Sequence, residues 1–336
     1  MNSRAMNHNN TPAILVAAVA ATLACAAPAA VAGNRGPHYG PWGAAQMLPA
    51  VVDTPVAAEG CPIESPDGRE LYIASNRSAP GAQGKLDIYR SRRGRGRFAD
   101  WGTPRNLGTP VNSTEFDYCP TPLRGNWLMF VSSRAHADDC YPGSEPPPTP
   151  AAGPAPGDIY LSREFRSGHW LAPLHLGCAP HGPNTAGAEF SPSLVQTSAG
   201  TFLYFSSNGY ADSQGQDIYV SRVLRNGTVL RGRRVAELST SFDDRMPNVR
   251  KDGLEIVFSS NRAGATAFDQ DIYVATRRSV RAKWGKPVRI ANPHVNTPGS
   301  ETRASLSGDG TRLYFGRKLT AADPGDVYVS TRRRKP

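Results

Sequence analysis

Five carboxylates recur at one place in the repeating pattern of this chain: Glu59, Asp117, Glu189, Asp244 and Glu301. Each precedes a proline or alanine by three positions, at Pro62, Pro120, Pro192, Pro247 and Ala304. Three chemistries suit such a set. The acids can accept backbone N–H groups or the arginine of a neighbouring unit and so hold the units together. They can present oxygens to a cation or a basic partner. A pair about 5–5.5 Å or about 6.5–9.5 Å apart would suit retaining or inverting glycoside hydrolysis. Recurrence in every unit favours the first, because catalysis needs one or two unlike residues. Nothing in the sequence separates two of the acids from the other three. They are taken as candidate ligand- or partner-binding residues, no catalytic residue is assigned, and the balance leans away from an enzyme.

The elements that position these acids are short and repeated. Asp-(Ile/Val)-Tyr begins at Asp87, Asp158, Asp217, Asp271 and Asp326, at intervals of 71, 59, 54 and 55 residues. A period near 50 residues marks a repeat architecture. In three copies an Asp-Gly turn, at Asp67, Asp252 or Asp309, separates the acid-led segment from a β-rich run such as Leu71-Tyr72-Ile73 or Leu313-Tyr314-Phe315. Asp-Gly between apolar runs is a strong hairpin signal. Trp-x-x-Pro-x-x-Leu/Ile segments begin at Trp101, Trp170 and Trp284, and no segment shows a helical period. Four antiparallel strands per unit follow. Repeated radially, they make an all-β, five-bladed β-propeller of four-stranded blades. The repeats run near 59–112, 117–184, 189–240, 244–296 and 301–332. The fifth lacks a Trp strand, whereas Trp42 to Leu48 has its spacing, so residues 42–48 are expected to complete the last blade and close the ring.

The pattern Glu-x-x-Pro-x-x-Ser-x-Asp-Gly-x-x-Leu-Tyr-Phe, followed by Asp-Ile-Tyr, resembles the WD40-like Pro-Asp propeller repeats of the TolB type. Asp244–Tyr273 and Glu301–Tyr328 carry it most fully, and the resemblance covers nearly all of the chain after residue 32. It implies a propeller and a protein-interaction role in the bacterial periplasm or envelope. Such propellers usually have six blades and a separate N-terminal domain, and neither is matched here.

Residues 1–32 read as a secretory signal: Arg4, an apolar run from Ala13 to Ala24, and an Ala30-Val31-Ala32 cleavage site. The protein is expected in the periplasm or outside the cell as one propeller domain, 33–336; Cys25 offers a lipoprotein alternative. No apolar stretch beyond the signal would span a bilayer. Cys61, Cys119, Cys140 and Cys178 remain, an even number that suits disulfides. A Cys140–Cys178 pair would tie down the second unit, whereas Cys61 and Cys119 lie on neighbouring inner strands, a placement expected to hold them apart.

The net charge of +10 is unevenly placed. In a propeller, the loops leading into the inner strands open on one face, here called the start face. The hairpin turns that end the inner strands open on the other, the turn face. The start face gathers the five acids with Asp138, Asp139, Glu145, Asp212, Asp269 and Asp323. The turn face gathers the arginines after each third strand, among them Arg92, Arg93, Arg95, Arg97, Arg277 and Arg332. A basic face attracts phosphate, lipid headgroups or acidic polysaccharide, or simply stays solvated. Nucleic acid is not expected, since no aromatic stack accompanies the arginines. No cofactor is implied; the loops 212–217 and 269–271 could hold calcium only weakly, being short of carboxylates. His175, His181 and His294 have no catalytic partner at a recognised spacing. The Trp column suits blade packing better than a sugar platform. The second copy breaks the period with a Pro-rich insertion, 135–157. These features make the expected function that of a monomeric interaction module. It would bind an envelope protein through the acidic face and the insertion. The alternative is a carbohydrate-binding or glycoside-cleaving propeller with carboxylates at the channel mouth.

Overall fold

The structure, a computed structural model, describes residues 39–94, 100–135, 140, 157–264 and 269–335. Residues 1–32 with Cys25, the residues Arg95, Arg97, Asp138, Asp139 and Glu145, and most of the insertion lie outside them. Five antiparallel sheets form the ring. Their inner strands are Glu59–Glu64, Asp117–Leu123, Glu189–Thr197, Asp244–Val249 and Ser300–Leu306. Each packs against the next, and the last packs against the first. The fifth sheet runs Ser300–Leu306, Arg312–Lys318, Asp326–Thr331 and then Gln46–Met47, so the N-terminal segment supplies its outer strand. Gly40, Gly43 and Leu48 extend that pairing through their N–H groups to Arg333, Thr331 and Val327.

Alternation along the second strands distributes the core between neighbouring blades. Leu71 and Ile73 point into a cluster with Tyr314 and Val327 of blade five, while Tyr72 between them joins Phe130 and Tyr160 of blade two. A period of two sends successive side chains to opposite faces of a sheet. All five inter-blade seams are filled this way. At about 1.5–3 kcal/mol for each large apolar side chain buried, these seams supply most of what holds the ring together.

The outer strands are shorter than the Trp-led pattern suggested, two residues each at Arg105–Asn106, Leu174–His175, Arg233–Arg234 and Val288–Arg289. Pro104, Pro173 and Pro287 precede three of them, and proline has no N–H to give a ladder. In blade two the strip is split, with His169–Trp170 also pairing to the third strand. Every inner strand slips register between its second and fifth residue or nearby. The bulge residues Cys61, Cys119, Ser191, Met246 and Arg303 have φ of 49–58°. The conserved spacing to Pro62, Pro120, Pro192 and Pro247 follows from this, since a bulge leaves the next N–H without a ladder partner.

One internal contrast gives a test. In four blades the oxygen of Asn112, Asn184, Ser239 or Asn296 accepts the N–H of Ile88, Ile159, Ile218 or Ile272. The same side chain donates back to that residue's carbonyl. Blade five has Asp53 there. It accepts from Val327 N–H at 3.2 Å, but its second oxygen is buried without a partner. Burial, and then the nearby Asp326 carboxylate, raise the Asp53 pKa from 3.8 to about 7. The folded state therefore holds this proton more tightly than the unfolded chain. The stability it contributes is complete below pH 3.8 and is lost as pH rises through about 7. Asp53→Asn restores the missing donor at every pH. It is expected to exceed wild type by about 1–3 kcal/mol at pH 8 and to match it near pH 4 in urea unfolding. A difference that does not change with pH would contradict this.

Candidate functional site

The five ring acids sit at the start of the inner strands with their side chains withdrawn from solvent. Glu59 accepts from Arg77 at 2.7 Å, Thr54 and Ser75. Asp117 accepts from Arg134 at 2.6 Å and from the backbone and hydroxyl of Ser113. Asp244 binds Arg262 and Thr240 in the same manner. Glu301 takes Arg317 at 2.8 Å and Thr297. Each carboxylate thus pins the loop entering its strand to an arginine of its own blade. Burial pushes Glu59 and Glu301 above the ordinary range even against their arginines.

Glu189 differs. Gly209 stands where the other blades place Arg77, Arg134 and Arg262, and a side chain there would fall 1.9 Å from Thr185 Oγ1. Glu189 is left with Thr185 and Ser207, at 2.6 and 2.5 Å. Burial, reinforced by the Asp158 carboxylate, pushes its pKa well above the ordinary carboxylate range. The glycine in place of arginine, with serine at 207 where blade five has Arg317, was the sequence signal that separates this acid from its four counterparts.

The repeated Asp of Asp-Ile-Tyr is likewise engaged. Asp217 takes Arg234 at 2.8 and 2.9 Å, Asp271 takes Arg289 at 2.6 and 2.8 Å, and Asp87 takes Asn106. A calcium ion in those loops would have to displace an arginine from Asp217 or Asp271. His175 is buried, with Nε2 3.0 Å from Asp158. Cys140 and Cys178 form a disulfide, with Cα atoms 5.4 Å apart. Among the described residues, the one close group of metal-ligand atoms is these two sulfurs with His175, and both sulfurs are spent in that bond. Cys61 and Cys119 do not stand apart as expected; their sulfurs are 3.0 Å from each other, because the bulges turn both side chains into the seam between blades one and two.

The arginines of the turn face are also partly structural. Arg93, Arg277 and Arg332 donate to the carbonyls of Gly68, Gly253 and Gly310 in the hairpin turns. They stack on Trp101, Trp284 and Trp42 at 3.9–4.2 Å. Six residues after the Asp of the Asp-Ile-Tyr motif, blades one, four and five have arginine, but blade two has Glu164. Three residues after that Asp, blades two to five have Leu161, Val220, Val274 and Val329, but blade one has Arg90. These two departures meet across the seam. Arg90 binds Glu164 through two hydrogen bonds, 2.7 and 3.0 Å, and lies 3.7 Å from Glu70. Tyr72 donates to Glu70 at 2.9 Å. Burial pushes the Glu164 pKa up, but the Arg90 bonds and the Gly168 N–H outweigh this and hold it below the ordinary range.

Glu70, Tyr72 and Glu164 of this cluster line a cleft of about 520 Å³ on the turn face, together with the largely buried Trp127 and Trp170. The buried indole N–H of Trp170 has no hydrogen-bond partner among the described residues. The cleft continues into a second cavity of about 390 Å³ at the channel mouth, formed where the five inner strands end. Ser65, Pro66, Pro122, Leu123 and Arg124 line both, with Arg124 exposed at the junction. Sequence reasoning sought the site on the opposite face. The signal for this one was present in Arg90, the one charged residue in an apolar column, and in Glu164, the one acid in a column that otherwise holds arginine or Val223.

Neither a family profile nor a curated protein matches the sequence. Solved structures do share its fold. A thermostable family-43 glycoside hydrolase is 14% identical over 84% of this chain and 92% of its own, with a TM-score of 0.54. An α-L-arabinofuranosidase from Lactobacillus brevis is 13% identical over 85% and 92%, with a TM-score of 0.55. A putative TolB from Agrobacterium tumefaciens is 15% identical over 83% and 90%, but its TM-score of 0.39 adds nothing to the resemblance of the repeats. The similarities at 0.54 and 0.55 establish a common propeller fold. No helix among the described residues is long and apolar enough to cross a membrane.

Proposed function

We propose that this protein is a carbohydrate-binding propeller acting outside the cytoplasm after cleavage near Ala32, with an extended oligosaccharide lying in the turn-face groove. The observation that carries this reading is the Arg90–Glu164 pair, two departures from the repeat, whose Glu164 lines one wall of a continuous cleft with Glu70. Bidentate carboxylate–guanidinium pairs hold their groups in fixed geometry, as pockets with a few placed polar groups do. Exposed Arg124 and Lys251 favour a sugar that carries carboxylates. Solved propellers of similar shape include proteins named as a glycoside hydrolase and an α-L-arabinofuranosidase, which supports a glycan over a protein ligand.

Binding is favoured over cleavage. Glycoside hydrolysis needs one carboxyl kept protonated beside one kept ionised. Glu164 is held in the ionised form by Arg90, and the ring acids are enclosed in their own blades. The interaction-module reading has less support, because the same enclosure leaves the ring acids no exposed oxygen for an envelope protein.

The test is affinity electrophoresis through gels containing arabinan, arabinoxylan, polygalacturonate or a neutral β-glucan, with a reducing-end assay run in parallel. Retardation by at least one polysaccharide, strongest with polygalacturonate and without release of reducing ends, is expected. Mobility unchanged in all four would contradict the proposal. Release of reducing ends that disappears in both Glu70→Gln and Glu164→Gln would turn the reading to a glycosidase.

A further inference from the structure

The channel holds a charge without a counterion. Arg303, at the bulge of the fifth inner strand, is 1% exposed. It reaches blade two, where Nη2 donates to Pro120 O at 3.1 Å and Thr121 Oγ1 at 3.3 Å. Its Nε and Nη1 have no hydrogen-bond partner, and no carboxylate lies within salt-bridge distance among the described residues. An unpaired buried guanidinium is costly, and native structures compensate such charges. The equivalent bulge residues of blades one and two are Cys61 and Cys119, whose sulfurs lie 3.0 Å apart. Ser191, the bulge residue of blade three, donates to Cys119 Sγ at 3.2 Å.

We propose that Cys61 and Cys119 form a reactive thiol pair in the channel, that their shared thiolate is the counterion of Arg303, and that small disulfides oxidise the pair to a bond joining blades one and two. The electrostatics agree. Burial pushes the Cys119 thiol up, but the Cys61 S–H, the Arg303 charge and the Ser191 hydroxyl bring it to about 7. The second proton, on Cys61, is pushed well up, first by its bond to Cys119 and then by burial. Tyr118, beside them, is raised by burial and then by the two sulfurs, so it stays neutral.

Cys61 is partly exposed and Cys119 is buried, so Cys61 meets the reagent. In the minor form that carries the shared proton on Cys119, the more accessible Cys61 thiolate attacks the disulfide R–S–S–R, forming Cys61–S–S–R and releasing one thiolate. Cys119 then loses its proton and attacks Cys61 Sγ, releasing the second. The protein pair is oxidised and one small disulfide is reduced to two thiols, one leaving thiolate taking the proton released by Cys119 and the other a proton from water. Oxidation removes the negative charge and leaves Arg303 uncompensated, so Arg303 stabilises the reduced form. This pair is distinct from the groove and does not depend on the glycan reading.

The native protein would be equilibrated with 2-hydroxyethyl disulfide and 2-mercaptoethanol, trapped with iodoacetamide and mapped as peptides. A Cys61–Cys119 cross-linked peptide is expected, with Cys140–Cys178 unchanged. Alkylation of the reduced pair should show a midpoint near pH 7. In Arg303→Met that midpoint should rise by about one unit, and at fixed 2-hydroxyethyl disulfide the bond should persist in about threefold more 2-mercaptoethanol, since one pKa unit is a tenfold change in equilibrium and the exchange consumes two thiols. Should Arg303→Met not fold, Ser191→Ala gives a smaller upward shift in the same assay, and the wild-type cross-link and midpoint still decide. Full alkylation of both cysteines after equilibration with excess disulfide would overturn the proposal. So would an alkylation midpoint in the ordinary thiol range near 8.5.

Discussion

Asp244→Asn is expected to lose about 3–5 kcal/mol of unfolding free energy, and Glu189→Gln far less. Both acids are fully buried at the same place in adjacent blades, and burial alone would rank them equally. Their partners differ. Asp244 neutralises Arg262, which also holds the Leu238 carbonyl at 2.8 Å and lies over Phe258 and Tyr273. Removing the negative charge leaves a guanidinium mostly out of water with only carbonyls, hydroxyls and ring faces to meet it. Glu189 has no cation partner among the described residues, and burial and then Asp158 push its pKa well above the ordinary range, towards the neutral form. An amide keeps its size and most of its hydrogen bonds. Urea denaturation of the two variants beside wild type at pH 7 decides the matter, and equal losses would show that the arginines contribute nothing particular.

Deleting residues 39–48 should have the second large effect. This segment supplies the outer strand of blade five, and Leu48 and Trp42 fill the seams on its two sides. Tyr39 accepts the stacked guanidiniums of Arg250 and Arg332 at 5.0 and 3.9 Å. Without the segment, Asp326–Thr331 becomes an unpaired edge, a template for association with other chains. A melting temperature lower by ten degrees or more and association at micromolar concentration are expected, the latter read by light scattering. An unchanged melting temperature and a monodisperse variant would mean that the ring does not depend on its N-terminal closure.

Much of the fold was legible because the determinants are local and repeated. The Asp-Gly turns, the period-two runs and the unpaired Trp strand at Trp42 point to blade count and ring closure without any long-range information. The outer strands were read as too long because the Trp spacing persists through prolines that cannot donate to a ladder. The acids were visible as a column, but their enclosure was not, since it depends on arginines 16–18 residues away that fold back across a hairpin. The groove was missed for a different reason. Its parts, Arg90 and Glu164, are 74 residues apart and meet only when blade one packs on blade two. Each looks like another charged residue in a basic stretch until the columns are aligned. Cys61 and Cys119 were misjudged because the bulge that aims their side chains at one another leaves no mark in the sequence beyond the proline after it.

The central claim is that a glycan lies in the turn-face groove, and its most direct test is calorimetric titration of polygalacturonate oligosaccharides into three proteins. These are wild type, Arg124→Ala at the groove junction and Arg245→Ala, Arg245 being the second residue of the inner strand Asp244–Val249, at its start-face end. Arg124 is exposed and outside every seam, so its removal should leave folding unchanged. The account predicts binding by wild type and by Arg245→Ala, with affinity reduced about tenfold or more in Arg124→Ala, the loss of one charge-assisted contact. Binding that survives in Arg124→Ala but falls in Arg245→Ala would place the ligand on the opposite face and contradict it.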